Sequence, residues 1–147
     1  MPIISLKGKT ILQILPNLKQ GGVERGTIEM AKAIVDAGGT PIVVSGGGAM
    51  VAQLQRIGVE HITLPVGSKN PLRWPSIRRK LRQIMTDNNT DLVHVRSRAP
   101  AWIAIPAAKA LKIPVVTTVH GRFKATNMLK KYNAFTYCDE VHAVGLY

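Results

Sequence analysis

Two adjacent glycines, Gly21 and Gly22, lie between a short apolar run and a segment with helical spacing. Residues 10–15 are rich in β-forming side chains and too few for a helix, whereas apolar residues recur every three or four positions across residues 23–34. The glycines therefore stand at a helix N-terminus, where free N–H groups and the helix dipole attract anions. The sequence predicts a phosphate site there, although such a turn is equally compatible with plain helix-entry geometry.

A charged residue, Glu24, follows in the first turn of the same helix. The favoured interpretation is that its carboxylate complements the positive end of the helix dipole. The alternative is that it contacts a hydroxyl-rich or nucleotide ligand held over the turn.

Cations and a histidine are predicted at the ends of two later strands. The run Arg96, Ser97 and Arg98 ends one strand, and two guanidinium groups there suit bidentate recognition of phosphate or carboxylate, the alternative being a solvated rim. His120, before Gly121, follows the next strand and could donate a hydrogen bond to a sugar hydroxyl or to a leaving phosphate. The other histidines fall inside predicted strands, where packed or surface roles are favoured: His61, His94 and His142.

Short β-rich runs alternate with helical segments along the whole chain. This alternation is typical of βαβ units and predicts an α/β domain, a Rossmann-like three-layer α/β/α structure with a mostly parallel sheet of about six strands, occupying residues 1–147 as a single domain. Ligands of such sheets bind beyond the carboxyl ends of the strands. The predicted strands are 10–15, 40–45, 59–64, 91–96, 114–119 and 140–144, and the later helices are 50–56, 75–87, 99–111 and 125–136.

Several familiar sites are missing from the sequence. The first loop lacks G-x-G-x-x-G, the second strand ends in Ser45 and Gly46 without the acid that would hold a ribose, and no P-loop pattern occurs. The one cysteine and the absence of C-x-x-C or H-x-x-x-H spacing predict no metal site and no disulfide. We therefore expect no cofactor bound in the protein.

The chain is strongly basic, with 20 Lys and Arg against 8 Asp and Glu and a formal net charge of +12. Residues 61–86 and 92–138 contain no acid, so they should draw nucleotide phosphates, anionic lipid or nucleic acid. Nucleic acid ranks last, because the few aromatics are scattered and no nucleic-acid-binding motif occurs. The residues predicted for membrane or anion contact are Lys69, Arg73, Arg78, Arg79 and Arg82.

The helix predicted at 75–87 carries apolar residues on one face and cations around the rest. We favour an ordinary surface helix packed on the sheet over one that docks on a membrane. The lysines near the N-terminus follow a very short apolar run, which is the wrong order for a secretory signal, and the apolar run 99–108 is shorter than the roughly 20 residues of a membrane span.

Taken together, these segments resemble the N-terminal, acceptor-side domain of family 4 retaining glycosyltransferases. Those enzymes have two Rossmann domains in the GT-B arrangement, and the likeness is greatest to bacterial enzymes of lipopolysaccharide and surface-glycan synthesis. The order and spacing of the matching pieces cover most of the chain and are more specific than any single piece. The pieces are ILPNLKQGGVERGTIEMAKAIVDAGG, SKNPLRW, DLVHVRSRAPAW and VTTVHGRF followed by KKYNAF.

The resemblance implies transfer of a sugar, of hexosyl type, from a nucleotide-sugar donor to a glycan or glycolipid acceptor, with retention at the anomeric carbon. It implies that Gly21 and Gly22 face the donor diphosphate and that His120 lies near the transferred sugar as the catalytic residue. Glu24 and Gly121 join the expected substrate contacts. The run 96–98 matches a family segment near the cleft between the two domains.

The sequence departs from the family pattern at its end. In the family a second Rossmann domain follows with the nucleotide pocket, and this sequence stops at Tyr147. We therefore expect the first half of a GT-B fold, a truncated chain that is inactive alone and binds a sugar nucleotide weakly. A cytoplasmic location, with peripheral contact at the cytoplasmic face of the inner membrane, is also expected. The alternative function is a non-catalytic binding module for anionic glycolipid or a membrane surface.

Overall fold

The computed structural model describes residues 5–120 and 140–144. It confirms the predicted alternation of strands and helices, and the ends of the elements agree to within about one residue. The helix predicted at 125–136 lies outside the described residues. The strands are β1 (Thr10–Ile14), β2 (Thr40–Ser45), β3 (Glu60–Thr63), β4 (Leu92–Val95), β5 (Val115–His120) and β6 (Glu140–Val144), and the helices are α1 (Gly22–Asp36), α2 (Val51–Arg56), α3 (Trp74–Asp87) and α4 (Arg98–Ala110), with a 3-10 turn at Pro71–Arg73.

All pairings between the described strands are parallel, and the sheet has the order β3-β2-β1-β4-β5-β6. The predicted Rossmann-like α/β fold with about six strands is therefore confirmed. The chain moves outward from β1 to β3, crosses back through α3, and then moves outward on the other side. Because the direction reverses between β1 and β4, the loops after these two strands diverge and leave the crevice where ligands of such sheets bind.

Alternating residues of the central strands pack into two separate apolar layers. Leu12 and Ile14 of β1 belong to the layer formed with α3 and α4, whereas Val43 of β2 points to the layer formed with α1 and α2. This is the three-layer arrangement expected when both faces of a parallel sheet are covered by helices. The functional loops are consequently held at the carboxyl edge by a core on each side.

The apolar face of α3 is buried, which confirms the favoured interpretation of the basic segment. Ile77, Leu81 and Met85 are buried against the sheet. Trp74, at the start of the helix, stacks on Trp102 of α4, with ring centroids 6.2 Å apart. The apolar stripe of α3 therefore packs inside the protein. No helix in the described part of the chain has the length and apolar character needed to cross a membrane.

Candidate functional site

The turn between β1 and α1 is held by the loop that follows β2. Leu18 donates its N–H to the carbonyl of Gly47 over 2.9 Å, and Gly46 donates to the carbonyl of Pro16 over 2.8 Å. Gly21 is the N-cap of α1, with φ of 148° and no side chain to cap the helix. The first N–H groups of α1 thus face the crevice, and hydrogen bonds from the loop after β2 hold the turn that precedes them.

The two glycines of this turn have different surroundings. A Cβ atom on Gly21 would lie 2.7 Å from Oε2 of Glu24, whereas a Cβ on Gly22 would meet nothing within 4 Å. The Glu24 carboxylate therefore folds back over the start of its own helix, as its favoured role in complementing the dipole predicts. Gly22, in contrast, leaves its backbone open to close approach by a ligand.

A buried guanidinium lies beside the same helix. Arg96, directly after β4, is 6% exposed, and its Nε donates to Oε1 of Gln13 on β1 over 2.7 Å. Gln13 in turn donates its Nε2 to the carbonyl of Thr27 on α1 over 3.1 Å. Thr27 donates its hydroxyl to the carbonyl of Val23 over 2.8 Å. A chain of buried hydrogen bonds thus fixes Arg96 relative to the first two turns of α1.

The position of Arg96 depends on a small residue in the helix. A Cβ on Gly26 would lie 3.4 Å from Nη1 of Arg96, so glycine allows the guanidinium to lie against the helix backbone. Burial lowers the pKa of Arg96 to about 10, and no carboxylate in the described part of the chain opposes that shift. The group remains charged at neutral pH, because its pKa still lies well above 7. A buried cation without an acidic partner is a suitable site for a bound anion.

Arg96 stands at one end of a cleft of about 660 Å³ between α1 and the strands β4 and β5. One wall consists of residues one helical turn apart on α1, and the other consists of alternate residues on the strands. Most of the lining is apolar, and the polar groups are concentrated toward the carboxyl edge. The lining residues that define its length are Gly22, Gly26, Met30 and Ile34 on α1 and Leu92, His94 and Arg96 along β4.

Two of the histidines have packed, hydrogen-bonded positions, as predicted. His94 is 9% exposed and its Nε2 is hydrogen-bonded to the hydroxyl of Thr118. His61 is half-buried, and its Nε2 lies 2.6 Å from Oγ of Ser45. Burial lowers the pKa of His61. Ser45 Oγ also accepts the N–H of Gly47 over 3.0 Å. Ser45 is fully buried and cannot serve as a nucleophile.

The remaining predicted residues are placed as follows. His120 is the last residue of β5 and pairs with Val144 at the carboxyl edge, whereas Gly121 lies outside the described residues. Ser97 is the N-cap of α4, with no cap from its hydroxyl. Arg98, the first residue of α4, is half-buried and already has a partner. The structure therefore brings Arg96 together with the start of α1, and it places the backbone of His120 at the end of the strand beside β4.

The cations predicted for membrane or anion contact differ in accessibility. Lys69, Arg73 and Arg79 are exposed, and Arg82 is half-buried. Arg78 turns toward α4 and donates its Nη2 to the carbonyl of Trp102 over 2.8 Å. Its Nε is buried without a hydrogen-bond partner among the described residues. Three of the five cations are thus fully available to an external anion. No group of three or more metal-ligating side chains occurs in the part of the chain that the structure describes.

Three residues of the site were not predicted from the sequence. Gln13 is a polar residue in the apolar run TILQIL, and Gly26 interrupts a helix that is otherwise free of glycine after its start. Each breaks the local pattern, and such breaks often indicate a functional contact. Thr27 gave no comparable signal, because a buried threonine on the apolar face of a helix is ordinary.

The chain matches the profile of Glycosyltransferase Family 4 over residues 20–145. A comparison with curated proteins finds no match. Among solved structures, a glycosyltransferase from Rickettsia africae is 41% identical with a TM-score of 0.81, and the match covers 92% of this chain and 36% of that one. MurG of Acinetobacter baumannii is 14% identical with a TM-score of 0.72, and the match covers 94% of this chain and 42% of that one.

A third structure, Alr3699/HepE of Anabaena in complex with UDP and glucose, is 20% identical with a TM-score of 0.70, and the match covers 90% of this chain and 37% of that one. This chain therefore spans well under half of the length of each of these three structures. The family profile, in contrast, covers most of this chain and ends one residue after β6. The fold is that of the GT-B glycosyltransferases, and the chain belongs to glycosyltransferase family 4.

Proposed function

We propose that this domain forms the acceptor-side wall of a retaining glycosyltransferase that transfers a sugar from a nucleotide-sugar donor to a glycan or glycolipid acceptor. The observation that carries the proposal is the buried guanidinium of Arg96, which lacks an acidic partner among the described residues and is held against α1, near whose start Gly22 leaves the backbone accessible. Support also comes from the Anabaena relative, whose structures contain UDP and UDP-glucose. A bacterial lipopolysaccharide or surface-glycan acceptor is the acceptor class that we propose.

The donor diphosphate would lie over Gly21 and Gly22, with Arg96 toward its side. As the bond from the sugar to the diphosphate breaks, negative charge grows on the leaving phosphate oxygens. Fixed donors stabilise that charge without having to reorient during the reaction, which is the usual source of electrostatic catalysis. Here the first N–H groups of α1 and the guanidinium of Arg96 supply the donors, and no protein nucleophile is required.

His120 is the proposed catalytic contact to the transferred sugar. It ends the strand next to β4, on the edge that carries the glycine turn. An imidazole at this position in the chain could donate a hydrogen bond to a sugar hydroxyl or to the leaving phosphate, and Gly121, the next residue in the sequence, is proposed as a further substrate contact. The nucleotide would be held mainly by a second Rossmann domain, so we propose that the chain by itself binds the donor weakly and transfers no sugar.

The test is a nuclear magnetic resonance titration of the chain with UDP and with inorganic pyrophosphate. We expect fast-exchange shifts of the amides of Gly21 and Gly22 and of the Nε–H of Arg96. Arg96→Gln should weaken binding by roughly tenfold to a hundredfold, because a hydrogen bond to a charged group contributes about 1.5–3 kcal/mol. Arg25→Gln is the matched control, since Arg25 lies on the same helix but is exposed. Shifts distributed over the basic surface, or equal losses in both variants, would contradict the proposed site.

A non-catalytic module that binds anionic glycolipid or a membrane surface is the second candidate. It is favoured by the exposed cations of residues 69–80, in a segment that contains no acid. Such a module would bind anionic vesicles without any response of Gly21, Gly22 or Arg96 to pyrophosphate. The same titration therefore separates the two candidates.

A further inference from the structure

Gln13 is a polar side chain buried in the middle of the sheet. It lies on β1, an interior strand, between Leu12 and Ile14, which pack into the apolar layer on the other face. Burying an amide is costly unless both of its ends find hydrogen-bond partners. An aliphatic side chain would cover the sheet without that cost, so the amide indicates a function that packing alone does not supply.

Both ends of the Gln13 amide have partners, and the partners fix which end is which. Oε1 accepts the Nε–H of Arg96 over 2.7 Å, and Nε2 donates to the carbonyl of Thr27 over 3.1 Å. A guanidinium only donates and a carbonyl only accepts, so the group between them must offer one acceptor and one donor. A carboxylate offers acceptors alone and an ammonium offers donors alone. A neutral amide is therefore the group that can link Arg96 to α1.

The amide also leaves the charge of Arg96 without neutralisation. Its bond to Gln13 is the one hydrogen bond that the Arg96 side chain makes within the described residues, and it occupies Nε. Nη1 lies against α1, 3.4 Å from the position that a Cβ on Gly26 would take. The guanidinium thus retains its positive charge and its Nη groups for a ligand at the crevice.

We propose that Gln13 is a positioning residue of the anion site, which holds Arg96 against α1 and, being uncharged, keeps the guanidinium available to a diphosphate. Gln13 is fully buried and acts through Arg96, without touching the ligand itself. The selection of a diphosphate rests on the proposed function. The positioning of Arg96 rests on the two hydrogen bonds alone.

The first test changes the charge of residue 13 and keeps its size. In Gln13→Glu a carboxylate lies beside Arg96 and neutralises it, so pyrophosphate should bind about tenfold to a hundredfold more weakly, as in Arg96→Gln. Loss of the donor to Thr27 lowers the stability of this variant, so its amide spectrum is recorded first to establish that it is folded. If residue 13 only fills the sheet, folded Gln13→Glu will bind pyrophosphate as tightly as wild type, and the proposal is wrong.

A double-mutant cycle separates neutralisation of Arg96 from direct repulsion of the ligand. Gln13→Glu added to Arg96→Gln should cause no further loss of affinity, because the cation that the carboxylate neutralises is absent. An equal loss in both backgrounds would show that the carboxylate acts on the ligand and not through Arg96. That result would overturn the proposal.

The second test removes the two hydrogen bonds and keeps the charge of Arg96. Gln13→Met has a similar volume, and pyrophosphate affinity should fall about twofold to tenfold because the guanidinium is no longer held in place. Without ligand, the Nε–H of Arg96 should exchange with water faster by a similar factor. Thr90→Val is the control, since Thr90 is buried at the opposite edge of the sheet and its hydroxyl has no hydrogen-bond partner among the described residues. It should change neither quantity.

The exchange measurement also separates this proposal from the diphosphate site. Faster exchange in Gln13→Met, together with pyrophosphate binding that is insensitive to Arg96→Gln, would support the positioning of Arg96 and overturn the diphosphate site. Unchanged exchange in Gln13→Met, with pyrophosphate still bound through Arg96, would overturn the positioning and leave the diphosphate site intact.

Discussion

At the scale of single residues, the site is organised around one cation and one anion that do not pair with each other. Arg96 is buried and bonded to a neutral amide, while the Glu24 carboxylate folds over Gly21 at the start of α1. The helix N-terminus therefore already has a negative charge beside it. A diphosphate that approaches Gly22 would have to share the dipole with this carboxylate or displace it.

Glu24→Gln should therefore raise the affinity for pyrophosphate up to about fivefold, because the charge near a helix terminus is worth about 0.3–1 kcal/mol. The same substitution should lower the free energy of unfolding by a similar amount, since the favourable interaction with the dipole is lost. Calorimetric titration and urea unfolding measure the two effects. If Glu24 instead contacts a hydroxyl of the ligand, Glu24→Gln will weaken the binding of a sugar nucleotide while pyrophosphate affinity stays constant or rises.

At the scale of elements, hydrogen bonds between loops position the site. The loop after β2 supports the turn after β1 through Gly46 and Gly47, and Ser45 supports Gly47 through its hydroxyl. The same hydroxyl is hydrogen-bonded to Nε2 of His61 on β3 over 2.6 Å. The protonation state of one histidine is thus connected, through two loops, to the shape of the glycine turn.

Acidification should destabilise this arrangement. Burial lowers the pKa of His61, so the unfolded chain binds a proton more readily than the folded protein does. The stability that His61 contributes is complete above its unfolded pKa of about 6.5 and declines as the pH falls below that value. Urea unfolding at about pH 7.5 and about pH 5.5 should show a larger loss for wild type than for His61→Gln. Equal losses would show that other groups account for the pH dependence.

The elements could be predicted from the sequence, whereas the connections between them could not. Short apolar runs followed by glycine are enough to predict β2 and β6, because these signals act within a few residues. The bond from Arg96 to Gln13 joins residues 83 apart in the sequence, and it exists only because β1 and β4 are neighbours. No local pattern contains that pairing. The polar Gln13 in an apolar strand could have signalled a contact, although not its partner.

At the scale of the whole molecule, the excess of positive charge acts in two distinguishable ways. A net charge of +12 repels itself within the folded chain, so any salt that screens it should raise the melting temperature. A bound anion at Arg96 adds a second contribution that depends on the identity of the anion. Comparison of anions at equal ionic strength separates general screening from occupation of the site.

Pyrophosphate should stabilise the wild-type chain more than chloride at the same ionic strength. With a dissociation constant of about 1 mM, about 10 mM pyrophosphate adds roughly 1.4 kcal/mol, or about 3–5 °C in melting temperature for a domain of this size. Arg96→Gln should keep the increase that chloride produces and lose the additional increase with pyrophosphate. If the additional increase persists in Arg96→Gln, the anion binds elsewhere on the basic surface, and the buried guanidinium does not form the diphosphate site.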